Sequence, residues 1–253
     1  MNETTATLLS TISAKQPRIK QQGYKEGRTD FEKAFWYEQH HSIDNYGNVV
    51  PRTDYAKAFG GNGWTPEFFR PQDDMYVTRC DYMFCYTRRL NIDLVEHLEE
   101  CGVVLDTTNS TNFANMFEYS RITHVGILKC QNQNATNLYA TFSNARDLEI
   151  IDGLVLKEDG SQTFTNTFNN CVALTDITIE GKIGKTISFA SSPLSVDSMK
   201  SIITHLMDYS RTSYAQTYSL TFSSDCWDRL ESDSSSPTGT TWKAYVQNLG
   251  WKI

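Results

Sequence analysis

The chain has 253 residues, of which 39% are apolar and 12% aromatic; aromatic rings bury a large area each, so a real core is within reach of one compact domain or of a small domain joined to a solenoid. Thirty acidic and 23 basic residues leave a net charge of -7, which disfavours nucleic acid as the main partner because phosphate binding needs a basic face. No stretch approaches the roughly 20 apolar residues of a membrane span, and no basic start precedes a long apolar run between Ala6 and Ile12, so the expectation is a protein made in the cytosol without a signal peptide.

The N-terminal part is rich in aromatic residues and turns. Thr29 and Glu32 have the spacing of a capping box for a helix over Asp30 to Gln39, with Phe31, Phe35 and Trp36 on it. Asn45 to Asn48 and Gly60-Gly61-Asn62-Gly63-Trp64 read as turns, and Asp54 as the start of a short helix through Tyr55 and Phe59. Leu94, Val95 and Leu98 mark one helix face that ends at Gly102.

Three central segments are alike. They are anchored at Phe117, Phe142 and Phe168, which recur about every 25 residues, inside the range of leucine-rich repeats. Three positions after each anchor comes a small residue: Ser120, Ala145 or Cys171. Two spaced aliphatics follow, as Ile122 with Val125, Leu148 with Ile151, and Leu174 with Ile177. The first copy is one residue shorter between Phe117 and Ile122, and a degenerate copy begins at Phe84 with Leu90 and Ile92. Each repeat would make one turn of a solenoid, with the Phe in the core, the small residue where neighbouring turns approach, and the aliphatics opening a strand of a parallel sheet. Asn115, Asn144, Asn166, Asn169 and Asn170 suit the tight turns between.

A solenoid exposes apolar ends that need covers. Ser195 can cap a helix carrying Met199, Ile202, Ile203, Leu206 and Met207. Tyr218, Leu220 and Phe222 alternate as a strand, Ser223 or Ser224 starts a helix holding Trp227 and Leu230, and a Ser-rich loop leads to a last helix with Trp242, Tyr245, Val246 and Leu249 before Gly250. The fold class expected is therefore α/β: an aromatic-rich N-terminal module over 1–83, a leucine-rich-repeat solenoid with a parallel sheet over 84–194, and an α/β cap over 195–253.

Nothing in the sequence marks a catalytic, cofactor or metal site. His40 and His41, beside Glu38 at a helix end, point in different directions and lack a second ligand cluster. The glycine-rich turn before Trp64 lacks the Lys-Ser/Thr of a phosphate loop. Asp44 to Asn48 lacks the downstream Glu of a calcium loop. His124 and His205 sit inside repeat and helix patterns as packed or surface residues. Cys80, Cys85, Cys101, Cys130, Cys171 and Cys226 form no Cys-x-x-Cys pair and read as small buried hydrophobes kept reduced. For partner binding the candidates are Trp64, Tyr76, Tyr139 and Tyr214, since Tyr and Trp dominate interface energetics.

The frame Phe-x-x-Cys/Ser/Ala-x-x-Leu-x-x-Ile, closest at Phe168 to Ile177, resembles the BspA-type leucine-rich repeat over about residues 84 to 230. The flanks, Gln22 to Gly27, Phe31 to Trp36 and Tyr55 to Trp64 on one side and Leu220 to Phe222, Trp227 and Trp242 to Tyr245 on the other, resemble repeat proteins of bacteriophages and prophages of gut bacteria. That resemblance implies a virion protein at the tail, baseplate or a vertex. It would be homo-oligomeric in a symmetric particle, contact other virion proteins or a bacterial receptor, and use neither nucleic acid nor membrane insertion. A bacterial surface adhesin for host protein or glycan is the alternative, and a cell-wall hydrolase is a third reading that would need clustered acids or a nucleophile in a cleft.

Overall fold

The computed structural model describes residues 41–43, 49–51, 54–55, 59, 71, 74–87, 92–233 and 236–253. Its strands are β1 (His41–Ile43), β2 (Val49–Pro51), β3 (Met75–Tyr76), β4 (Leu105–Asp106), β5 (His124–Lys129), β6 (Ile150–Val155), β7 (Asp176–Glu180), β8 (Ile187–Phe189) and β9 (Leu220–Phe222). Its helices are α1 (Leu94–Cys101), α2 (Val196–Thr204), α3 (Ser224–Asp233) and α4 (Trp242–Asn248). β1 and β2 pair antiparallel. The other pairings are all parallel: β3 with β4, β5 with β6 and β7 in that order, and β8 with β9.

Parallel neighbours one repeat apart mean that the chain coils. His124 pairs with Ile150, and Ile150 in turn with Asp176. The parallel sheets stack as a β-solenoid of about 4 turns with a few helices along it.

The bends between strands follow one backbone rule. A left-handed residue stands two positions before and two after each anchor: Tyr82 and Tyr86 about Phe84, Asn115 and Tyr119 about Phe117, Ala140 and Asn144 about Phe142, Asn166 and Asn170 about Phe168. Two such bends in five residues aim the intervening Phe inward. The turns are laddered to each other by the backbone: Phe84 N–H donates to Met116 O at 2.8 Å, Phe117 to Thr141 at 2.7 Å, and Phe142 to Thr167 at 3.0 Å.

The three anchors named from sequence line up in one column. Phe117 and Phe142 stack with ring centroids 5.5 Å apart, as do Phe142 and Phe168. The column is longer than those three. Phe59 stacks on Phe84 and Phe84 on Phe117, both at 5.4 Å, while Phe189 stacks on Phe168 at 4.4 Å and Phe222 closes it, tilted, at 6.1 Å. Ser120, Ala145 and Cys171 are buried, each donating its N–H to its own anchor's carbonyl. The six paired aliphatics are all buried too.

Both margins of the β5–β6–β7 sheet are covered, which removes the unpaired edges a sheet otherwise offers to other chains. On the β7 side, Ser198 and Ser201 of α2 accept from Ile177 N–H and Ile179 N–H, each at 2.9 Å. On the β5 side, Thr107 Oγ1 accepts from Lys129 N–H at 2.8 Å, and Asp93 bridges His124. The helix ends follow the sequence. Asp93 accepts from Val95 and Glu96 at the start of α1, Gly102 ends it in the left-handed region, and Ser195 caps α2. Glu231 of α3 caps α4 through the N–H groups of Trp242 and Lys243, at 2.9 and 2.7 Å.

Two local expectations are corrected. Asp54 does not open a helix: it pairs in parallel with Arg79, and Tyr55 N–H donates to Arg79 O, because this segment already belongs to the coil. Leu206 and Met207 lie not on α2, which ends at Thr204, but beyond it, where Leu206 pairs in parallel with Ile183; His41 opens β1. The helix expected over Asp30 to Gln39, the turns at 45–48 and 60–64, and Leu90 lie outside the described residues.

Candidate functional site

The residues proposed for partner binding do not form one site. Tyr76 is 56% exposed on β3 and donates to Asp74 at 3.2 Å, a hydrogen bond that pushes its hydroxyl up from the ordinary phenol range. Tyr214 belongs to a separate aromatic cluster with Tyr209 and Tyr218, where Lys185 Nζ lies 4.7 Å from the Tyr218 ring centre and donates to its hydroxyl at 2.8 Å. Trp64 lies outside the described residues. Tyr139 stands on the row of Phe-bearing bends, and there it has company that the sequence did not reveal.

That row carries tyrosines on three successive turns. Tyr82, Tyr86, Tyr119 and Tyr139 are between 36% and 42% exposed. Tyr86 and Tyr119 stack, with ring centres 4.8 Å apart at 15°. The backbone ladder sets the turns against each other, with Tyr82 N–H donating to Ala114 O and Asn115 N–H to Tyr139 O. Glu118, set between the turns, has its carboxylate engaged by Asn115 Nδ2 at 2.8 Å and by the Cys85 thiol.

Three of these tyrosines sit where tyrosine is costly. Tyr82, Tyr86 and Tyr119 have φ of 58°, 58° and 54°, a region that costs an L-residue other than Asn, Asp or Gly roughly 1–2 kcal/mol. On the next two turns the place of Tyr86 and Tyr119 is taken by Asn144 and Asn170, which suit the conformation and bond to each other at 2.9 Å. The conformation itself belongs to the coil, since buried Ala140 shares it; what sets these turns apart is the exposed tyrosine placed in it.

His124, read as merely packed or superficial, joins three elements. Its Nδ1 faces Asp93 at 2.8 Å and its Nε2 faces Asp152 at 2.9 Å. Burial alone would push the ring down; the hydrogen bonds and charges of Asp152 and Asp93 outweigh it, so its pKa is raised. Asp93 is partly desolvated, which would raise it, but the Glu96 N–H and His124 hold it below the ordinary carboxylate value. A neutral imidazole has only one N–H to give, so this pairing calls for the imidazolium. An apolar groove of about 190 Å³ lies close by, lined by Val95 and Leu98 of α1 and by Val104, Val125 and Ile127.

Five of the six cysteines are buried, with Cys101 half-buried. Burial pushes the Cys80, Cys85 and Cys171 thiols up to about 12, far from the thiolate a nucleophile requires. Among the described residues no three His, Cys, Asp or Glu side chains come together as metal ligands, and no helix is long and apolar enough to cross a membrane. No family model, no curated protein and no solved structure matches the chain.

Proposed function

We propose that this chain is a non-enzymatic scaffold of the BspA-type leucine-rich-repeat kind, whose coils present a tyrosine-lined ridge to a partner. The observation that carries the reading is the strained, exposed row of Tyr82, Tyr86 and Tyr119 on bends that the backbone ladder holds rigid. Repeat proteins use such extended, regular surfaces for recognition, and tyrosine supplies large contact area at low entropic cost. In this reading residues 195–253 form the α/β cap of the repeats, and the N-terminal module attaches the protein to its assembly.

The assembly we propose is a bacteriophage particle, with the chain at the tail, baseplate or a vertex, contacting other virion proteins or a host receptor. The support is the resemblance of the flanking segments around Tyr55 to Trp64 and Trp242 to Tyr245. Mass spectrometry of purified particles tests it. The chain should be present at a fixed ratio to the major virion proteins; absence from washed particles contradicts the assignment and favours a surface adhesin.

A further inference from the structure

We infer that the apolar groove between α1 and β5 is a docking site for a cationic, amphipathic segment of a partner protein, which seats an apolar side chain in it. The inference goes beyond the proposed function and depends neither on the tyrosine ridge nor on a particle. Size, exposed apolar surface and charge carry it.

The groove holds about 190 Å³, below the roughly 300–1,000 Å³ of sites that enclose a free small molecule. That is room for an anchoring side chain. Its floor is core: Leu94, Val125 and Leu128 are buried. Gly126 leaves the floor bare beside the helix, since a Cβ there would stand 3.3 Å from Val95 Cγ2.

Val104 and Ile127 line the same groove and are 57% and 55% exposed, more than any other Val, Leu or Ile among the described residues. Two such side chains at the mouth of one groove form the apolar centre that a protein interface draws on, and a pocket of this kind is where an anchor residue gains its energy.

Charge selects the partner. Glu99 is the one charged lining residue. It shares α1 with exposed Glu96 and Glu100, and α1 has no Lys or Arg. Glu99 and Glu100 stand in the last turn, beside the negative end of the helix dipole, where carboxylates are unfavourable. Asp74 reaches the other rim, accepting from Val104 N–H at 2.8 Å. The cations nearby are already engaged: Lys129 Nζ lies 3.5 Å from Asp106, and His124 is held between Asp93 and Asp152. The field over the groove is therefore negative. It draws in a cationic segment and repels a second copy of a chain whose net charge is -7.

Fluorescence anisotropy with the whole chain tests this, using three labelled peptides of equal length: a leucine–lysine amphipathic helix, its leucine–glutamate counterpart, and a serine–lysine peptide of the same charge. The leucine–lysine peptide should bind, the serine–lysine peptide at least about tenfold more weakly, and the leucine–glutamate peptide not at all. Val104→Ser with Ile127→Ser changes exposed side chains and no charge, so the thermal midpoint should stay near the parent's. This variant should bind the leucine–lysine peptide at least about fivefold more weakly and the serine–lysine peptide as the parent does. Glu99→Gln with Glu100→Gln should be at least as stable as the parent, since the helix end loses two ill-placed charges. It should weaken both cationic peptides and flatten their salt dependence. No binding of the leucine–lysine peptide overturns the inference, as does equal binding of the leucine–glutamate peptide. A Val104→Ser, Ile127→Ser variant that binds like the parent also overturns it, because net charge alone would then explain the attraction. A monomer–dimer equilibrium in sedimentation that the same variant abolishes would assign the groove to a second copy and overturn it too.

Discussion

Phe142 has a ring neighbour on either side, Phe117 and Phe168, and is fully buried. Phe142→Ala therefore opens a cavity in the middle of the column and should cost about 3–5 kcal/mol, read as a lower midpoint in denaturant. An unchanged midpoint would mean that the ring is not an anchor. The position three residues further on makes the opposite prediction. The hydroxyls of Ser120 and Ser192 are buried without a hydrogen-bond partner, and each lies three residues after a column Phe. Ala145 fills the same place in a neighbouring turn with no hydroxyl at all. An unsatisfied buried polar group costs about 1–3 kcal/mol, so Ser120→Ala and Ser192→Ala should raise the thermal midpoint slightly; a clear fall in both would show that the hydroxyls are bonded.

Elements meet through side chains as much as through strands. Ser198 and Ser201 occupy the margin of β7, and Ser198→Ala with Ser201→Ala would leave two strand N–H groups unpaired. The pair should lower stability by about 2–4 kcal/mol, taking 1–3 for each orphaned group with some relief from solvent, and should speed hydrogen exchange at Ile177 and Ile179; unchanged exchange would refute the capping role. The clasp of α1, β5 and β6 through His124 makes a prediction about pH. Its folded-state pKa is raised above 6.5, so its contribution is complete below that value and is lost as pH rises through the raised one. Asp93 is lowered from 3.8, so its share is present above that value and is lost as pH falls through the lowered one. The clasp is thus whole between these two ordinary values and weakens on the alkaline side. Thermal midpoints from pH 6 to 9 should fall in the parent by an amount equivalent to about 1 kcal/mol, and by less in His124→Gln. Equal slopes in the two proteins would mean that the clasp adds no stability.

At the scale of the whole molecule, what could be read in the sequence is what burial enforces. A column of rings needs Phe, a close approach needs Ser, Ala or Cys, and a strand facing the core needs spaced aliphatics, so Phe117, Phe142 and Phe168 with their followers announced the coil. Helix caps such as Ser195 and Gly102 were visible because they satisfy local backbone groups, whereas the Asp93 cap was found only in the structure. The column's ends were less visible. Phe189 follows Phe168 sooner than the earlier spacing would place it, and Phe59 stood in a segment whose Asp54 looked like a helix start. The ridge could be read least. Left-handed bends lead one to expect Asn or Gly, and Tyr82, Tyr86, Tyr119 and Ala140 break that rule. Of its four tyrosines only Tyr139 was singled out beforehand. The His124 pairing spans partners 31 and 28 residues away, a separation at which no local pattern operates.

Everything argued for the ridge depends on successive turns lying in register over the phenylalanine column. Proton–proton NOEs between ring-labelled phenylalanines test that register directly. With neighbouring ring centres 5.5 Å apart, Phe117–Phe142 and Phe142–Phe168 cross-peaks should be present and a Phe117–Phe168 cross-peak absent. A direct Phe117–Phe168 contact, or silence between Phe142 and both neighbours, would contradict the coil and with it the surface built on it.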